Sequence, residues 1–191
     1  MSTAVEHPPA RGAGNTGFSA LLDLVGEPFL FASTSYPDVL VLHFGERRAD
    51  PPRVIKGREY RHEYGTYSLF VSASEWVVKG GDVAVTNRGH DDTPPFKELR
   101  AAAEAAVGPG SRVLAAEPFP VDRPSVIGYG LRVELSNGAA VTVVPTPDDD
   151  PHATAPDGIP FAPLADWNLR TPRIELAVYP GRVIRVTERG V

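Results

Sequence analysis

The sequence predicts an α+β fold: a mainly antiparallel sheet with two helices, arranged as a duplicated α-β-β-β unit with pseudo-two-fold symmetry. Three observations predict it. Glycine (18) and proline (20) together supply 38 of 191 residues, a usage that favours short strands and turns over long helices. Two segments carry an apolar stripe at helical spacing, and nearly everything else that is periodic repeats every second residue. The order helix, glycine stop, alternating strand, second strand, Trp-bearing strand occurs twice.

The first helical segment is Phe18–Val25, where Phe18, Leu21, Leu22 and Val25 share one face of an α-helix. Asn15 or Thr16 caps its start, and Gly26 followed by Pro28 ends it. The second runs from Phe96. Pro94 and Pro95 suit a first helical turn, Phe96, Leu99, Ala103 and Ala106 form the stripe, and Gly108-Pro109-Gly110 stops it. Val39–Phe44 is apolar on both faces apart from His43, which predicts a central strand. Thr66–Ala73 places Tyr67, Leu69 and Val71 on one face. Gly80-Gly81 joins Glu75–Lys79 to Asp82–Thr86 as a hairpin. Leu131, Val133 and Leu135 alternate up to Ser136-Asn137-Gly138, and the strand resumes at Ala139–Val144. Asn-Gly there predicts a type I′ turn with positive φ at both centres. Pro180-Gly181 makes a last hairpin between Ile174–Tyr179 and Arg182–Val186. Gly45–Gly65 and Pro145–Pro163 read as long loops, and loops of that length usually have a role.

The repeat aligns Leu40/Leu42/Phe44 with Leu131/Val133/Leu135, Tyr67/Leu69/Val71 with Val141/Val143, and Trp76 with Trp167, the only two tryptophans. Leu40 to Trp76 and Leu131 to Trp167 each span 36 residues (76−40 and 167−131), although the long loop falls at a different place in each copy. Half-repeats 17–87 and 93–187 would share one core, because neither alone buries enough surface. The chain therefore reads as a mobile tail over residues 1–16 and a single α+β domain over 17–191.

Composition excludes several function classes. Hydrophobic residues at 42% and charged residues at 23% are ordinary globular usage, against disorder of the whole chain. With no cysteine there is no disulfide, thiolate metal site or thiol nucleophile. No apolar run approaches the roughly 20 residues of a membrane span. A net charge of −5 argues against a nucleic-acid-binding surface. The first 16 residues lack the apolar stretch of a secretory signal, so the expected location is cytoplasmic.

No catalytic set assembles. His90-Asp91-Asp92 are the weak metal candidates, but aspartates just before a helix are explained by capping and by the helix dipole. Asp148-Asp149-Asp150 with His152 lacks the alternation of a calcium loop and reads as a solvated acidic loop. Gly12–Gly17 matches G-x-G-x-x-G, but no strand precedes it to form a dinucleotide-binding turn, and no G-x-S-x-G is present. No cofactor is expected. His43 reads as a hydrogen-bonded core residue rather than a base. The two tryptophans read as anchors of equivalent core corners.

Glu59-Tyr60-Arg61-His62-Glu63-Tyr64 is the densest cluster of functional groups. In an extended chain Tyr60, His62 and Tyr64 face one way and Glu59, Arg61 and Glu63 the other. From Arg47 to Tyr64 six basic residues stand against three acidic ones, a locally basic stretch in an acidic protein. Arg58, Tyr60, Arg61 and Tyr64 are the candidate partner-binding residues, since arginine and tyrosine anchor interfaces. The competing reading is a charged edge strand that resists pairing.

Trp167-Asn168-Leu169-Arg170-Thr171-Pro172, after an alternating strand, an Asn-Gly turn and a second strand, resembles the W-x-L-x-T-P ending of small uncharacterised bacterial proteins, many of them actinobacterial. Some of these are similar in size and strand pattern to polymorphic-toxin immunity proteins. The resemblance covers about the last third of the chain, offers no catalytic residues, and implies an α+β domain of binding type. The expected function is thus a non-catalytic protein–protein interaction or immunity-like module. The alternative is an enzyme or small-molecule binder with a cleft between the two halves, lined by loop His, Asp and Glu residues.

Overall fold

The computed structural model describes residues 17–35, 39–72, 74–87, 96–146 and 165–189. A six-stranded sheet contains β1 (Phe29–Ser35), β2 (Val39–Ala49), β5 (Glu63–Val71), β11 (Trp167–Arg170), β12 (Ile174–Tyr179) and β13 (Val183–Glu188), in that spatial order. A five-stranded sheet runs β7 (Val83–Thr86), β6 (Ser74–Gly80), β10 (Ala140–Pro145), β9 (Val126–Leu135) and β8 (Val113–Arg123). The short β3 (Arg53–Ile55) and β4 (Arg58–Tyr60) pair only with each other. All pairs are antiparallel. The fold is therefore the expected mainly antiparallel α+β class, with its strands in two main sheets. Each main sheet takes strands from both halves of the chain.

The two sheets bury corresponding rows of side chains. Leu40, Val71 and Trp167 lie side by side in the first sheet, as Leu131, Val143 and Trp76 do in the second. The neighbouring rows are Ala32-Leu42-Leu69-Leu169-Leu176 and Ala116-Val133-Val141-Val78-Val85. All sixteen are buried in one hydrophobic cluster. Each tryptophan sits in the sheet begun by the other half. A fully buried aromatic of this size contributes about 3 kcal/mol or more, so these two side chains tie the first and second parts of the chain together. The Trp167 indole N–H donates to the Tyr129 carbonyl at 2.8 Å, and Phe18 stacks on the Trp167 ring.

The first helical segment differs from expectation. Ser19–Leu24 is a 3₁₀ helix, closed by i→i+3 bonds such as Leu21 N–H to Phe18 O at 3.0 Å. Three residues per turn place Phe18, Leu21 and Leu24 inward, whereas Leu22 and Val25 point to solvent, Leu22 at 73% exposure. The α-period had put Leu22 and Val25 on the buried face. Helix α1 (Phe96–Val107) follows its expected stripe through the buried Leu99 and Ala103, continued by Val107. Glu104 of α1 accepts the Ala32 N–H of edge strand β1 at 2.8 Å. Gly80 lets β6 approach the end of this helix, since a Cβ there would lie 2.3 Å from the Ala106 carbonyl oxygen.

The hairpin at Ser136-Asn137-Gly138 exists, but its turn is not type I′. Gly138 alone is left-handed (φ 84°), Gly138 N–H bonds Leu135 O, and Leu135 N–H bonds Ala139 O. This is a three-residue loop with glycine in its last place. Asn137 keeps an ordinary φ because its side chain is engaged elsewhere, its amide donating to Val107 O at the end of α1 at 2.8 Å. Strands β1 and β8 are additions to the sequence reading. Pro118 and Pro120 hid β8, and they are accommodated because β8 is an edge strand whose outward N–H positions need no partner. No helix of the described residues is long and apolar enough to cross a membrane.

Candidate functional site

The segment read as a loop from Gly45 to Gly65 is an arm of antiparallel strand. β2 and β5 pair out to Ala49 and Glu63, and Asp50 N–H donates to His62 O at 2.9 Å. Pro51 and Pro52 have no N–H to continue the ladder, and it restarts at Arg53 opposite Tyr60. Lys56 (φ 50°) and Gly57 (φ 76°) are both left-handed, as a two-residue type I′ turn requires. The segment is therefore not an edge strand of the main sheet: β5 lies between β2 and β11, and the β3–β4 tip projects on its own. An exposed Arg47–Glu63 ion pair at 3.0 Å sits at its base.

Every residue from Pro51 to Glu63 is exposed. Directly opposed residues share a face, so Arg53, Ile55, Arg58 and Tyr60 stand together, with Val54 and Glu59 behind them. Ile55 and Tyr60 are each 52% exposed and Val54 is 74% exposed. Of the four candidate residues, the structure brings Arg58 and Tyr60 together on this tip. Arg61 is exposed just beyond the ladder, and Tyr64 lies apart, half-buried in a cleft at the base of the arm.

That cleft encloses about 460 Å³ on the face of the first sheet turned away from the core. Leu40, Leu42, Leu69 and Val71 point inward, so the intervening Val41, His43, Ser68 and Phe70 point into the cleft. The alternation continues through Thr66 and Tyr64 to His62, whose ring stacks on Tyr64 at 5.8 Å between centroids. Arg48 and Asp50 come from the arm, and Arg170, Pro172 and Arg189 from the second half of the chain.

His43 forms the floor. Its Nδ1 accepts the Gly65 backbone N–H at 3.2 Å and lies 3.0 Å from Ser68 Oγ, while Nε2 lies 2.7 Å from Ser33 Oγ. A backbone N–H can only donate, so Nδ1 is the acceptor and the ring proton is on Nε2, donated to Ser33. Gly65 permits this contact: a Cβ there would meet the Phe44 carbonyl oxygen at 2.4 Å. Burial, reinforced by His62, lowers the His43 pKa to about 4. Nε2 of this neutral ring therefore cannot take a proton from Ser33, and the pair does not make an activated nucleophile.

Among the described residues no group of three or more His, Asp or Glu side chains is placed to hold a metal ion. His90, Asp91 and Asp92, the Asp148–Asp150 run with His152, and the tail glycines before Gly17 lie outside the described residues. Sequence reasoning missed Ser33, Arg48, Arg170 and Arg189 as site residues. Arg170 carried a usable signal: in Trp167-Asn168-Leu169-Arg170 the core residues alternate with Asn168 and Arg170, which must face the other side. No family model, curated protein or solved structure matches the chain.

Proposed function

We propose that the protein acts by binding another protein, with the β3–β4 tip as its anchor and an acidic surface on the partner. The observation that carries this reading is the exposed face formed by Arg53, Ile55, Arg58 and Tyr60 on a projecting hairpin. Apolar side chains at such a tip lose nothing by leaving water and contribute nothing to the core. Interface energy concentrates in arginine and aromatic positions of this kind. The tip is locally basic on a chain of net charge −5, so acidic partners are steered to it and other basic surfaces are repelled. The W-x-L-x-T-P resemblance supports an immunity-like module, for which the partner is a toxin. A cytoplasmic setting accords with the lack of cysteine.

The two halves are, in the same proposal, copies of one unit that exchange their Trp-bearing strands. Matched core rows, matched strand order and a left-handed glycine after each helix (Gly26 and Gly108) support it. The test of function starts with a partner captured from cell extract and then purified. Tyr60→Ala and Arg58→Ala are each expected to weaken binding about tenfold or more while leaving the melting temperature unchanged. Unchanged affinity in both variants would reject the tip as the anchor.

A further inference from the structure

We propose that the cleft above His43 is a binding site for a small ligand carrying a phosphate or carboxylate group. It is separate from the hairpin tip and does not depend on the protein-binding reading. Three guanidinium groups, Arg48, Arg170 and Arg189, line one cavity of about 460 Å³ against a single lining carboxylate, Asp50. That concentration of positive charge stands out on an acidic chain. The volume is that of ordinary small-ligand pockets, roughly 300–1,000 Å³.

Two of the three cations are already held. Arg170 stacks on Phe70, its Cζ 4.6 Å from the ring centroid, and its Nε donates to Glu175 at 3.1 Å. Arg189 donates from Nη1 to the Thr171 carbonyl at 2.8 Å. Both keep further N–H donors for a ligand, and a held guanidinium loses less freedom on binding. Its planar fork matches the paired oxygens of a carboxylate or phosphate. The floor adds a neutral donor of the same polarity. Because His43 Nε2–H donates to Ser33 Oγ, the Ser33 hydroxyl proton is turned elsewhere and is available to an acceptor in the cleft. Guanidinium rim and hydroxyl floor thus both ask for a group that only accepts hydrogen bonds.

The experiment follows the arginine Nε–Hε signals by NMR while the intact chain is titrated with inorganic phosphate or acetate, ionic strength being held constant with chloride. Saturable shifts of Arg48, Arg170 and Arg189 are expected with at least one of the two anions, and the stronger one identifies the group preferred. Arg48→Ala and Arg170→Ala should each weaken binding about tenfold, as loss of a charged hydrogen bond requires, and Arg58→Ala on the tip should not change it. Arg48 is exposed and outside the core, so Arg48→Ala serves even if Arg170→Ala fails to fold. Shifts that rise linearly without saturation, that chloride reproduces, or that survive Arg48→Ala unchanged would overturn the proposal.

Discussion

His43 is 2% exposed, yet it is held by three partners and kept neutral. Its folded pKa of about 4 lies below the ordinary 6.5, so between those values the unfolded chain binds a proton that the folded one refuses. The His43 contribution to stability is therefore fully present above about pH 6.5 and is lost as pH drops toward about 4, about 3 kcal/mol in full. Urea denaturation at about pH 7 and about pH 4.5 checks this: His43→Gln is expected to flatten the difference, and an equally steep loss in that variant would assign it to other groups. The sequence placed His43 between apolar neighbours on a strand, which made a satisfied histidine readable. Its partners were not, since Ser33, Gly65 and Ser68 reach it only through strand pairing, and β1 has no alternation of polar and apolar residues to announce it.

Turns and helices show where local signals suffice and where tertiary packing decides. Asn-Gly correctly marked the β9–β10 hairpin, but the packing of Asn137 on the end of α1 selected a three-residue loop in place of type I′. The type I′ turn is instead at Lys56-Gly57, in a segment whose prolines and charges made it read as loop. For Gly138 nothing lies within 4 Å of a Cβ position, so substitution there tests backbone conformation alone. Gly138→Val is expected to destabilise the fold by more than about 1 kcal/mol, because a β-branched residue resists φ near 84°. An unshifted denaturation midpoint would show that the loop changes shape at no cost. In the Ser19–Leu24 segment the leucines fit an α stripe and a 3₁₀ stripe equally well. Burial of Leu24 rather than Leu22 and Val25 settled it, and that depends on what packs opposite.

In the whole molecule the division that the sequence suggests, two halves in series, is not the division of the sheets. β6 and β7 complete the sheet built by β8–β10, and β11–β13 complete the sheet built by β1, β2 and β5. The antiparallel α+β class was legible from the alternating strands and their turns; the pairing of β6 with β10 and of β5 with β11 was not, because nothing in a strand's own residues says which neighbour it takes. Cutting the chain between residues 87 and 96 should leave two fragments that stay associated and melt together. Separately folded halves after proteolysis would refute this sharing of sheets. The same topology sets a delay during synthesis. The core-forming edge of β5 ends at Val71 and waits for Trp167, 96 residues later (167−71). At roughly 5–20 residues per second that is roughly 5–20 s in which a hydrophobic strand edge lies open. A second nascent chain on the same message carries the identical missing strand, so the ribosome-bound half is a template for dimers linked by strand exchange until its own C-terminal half arrives.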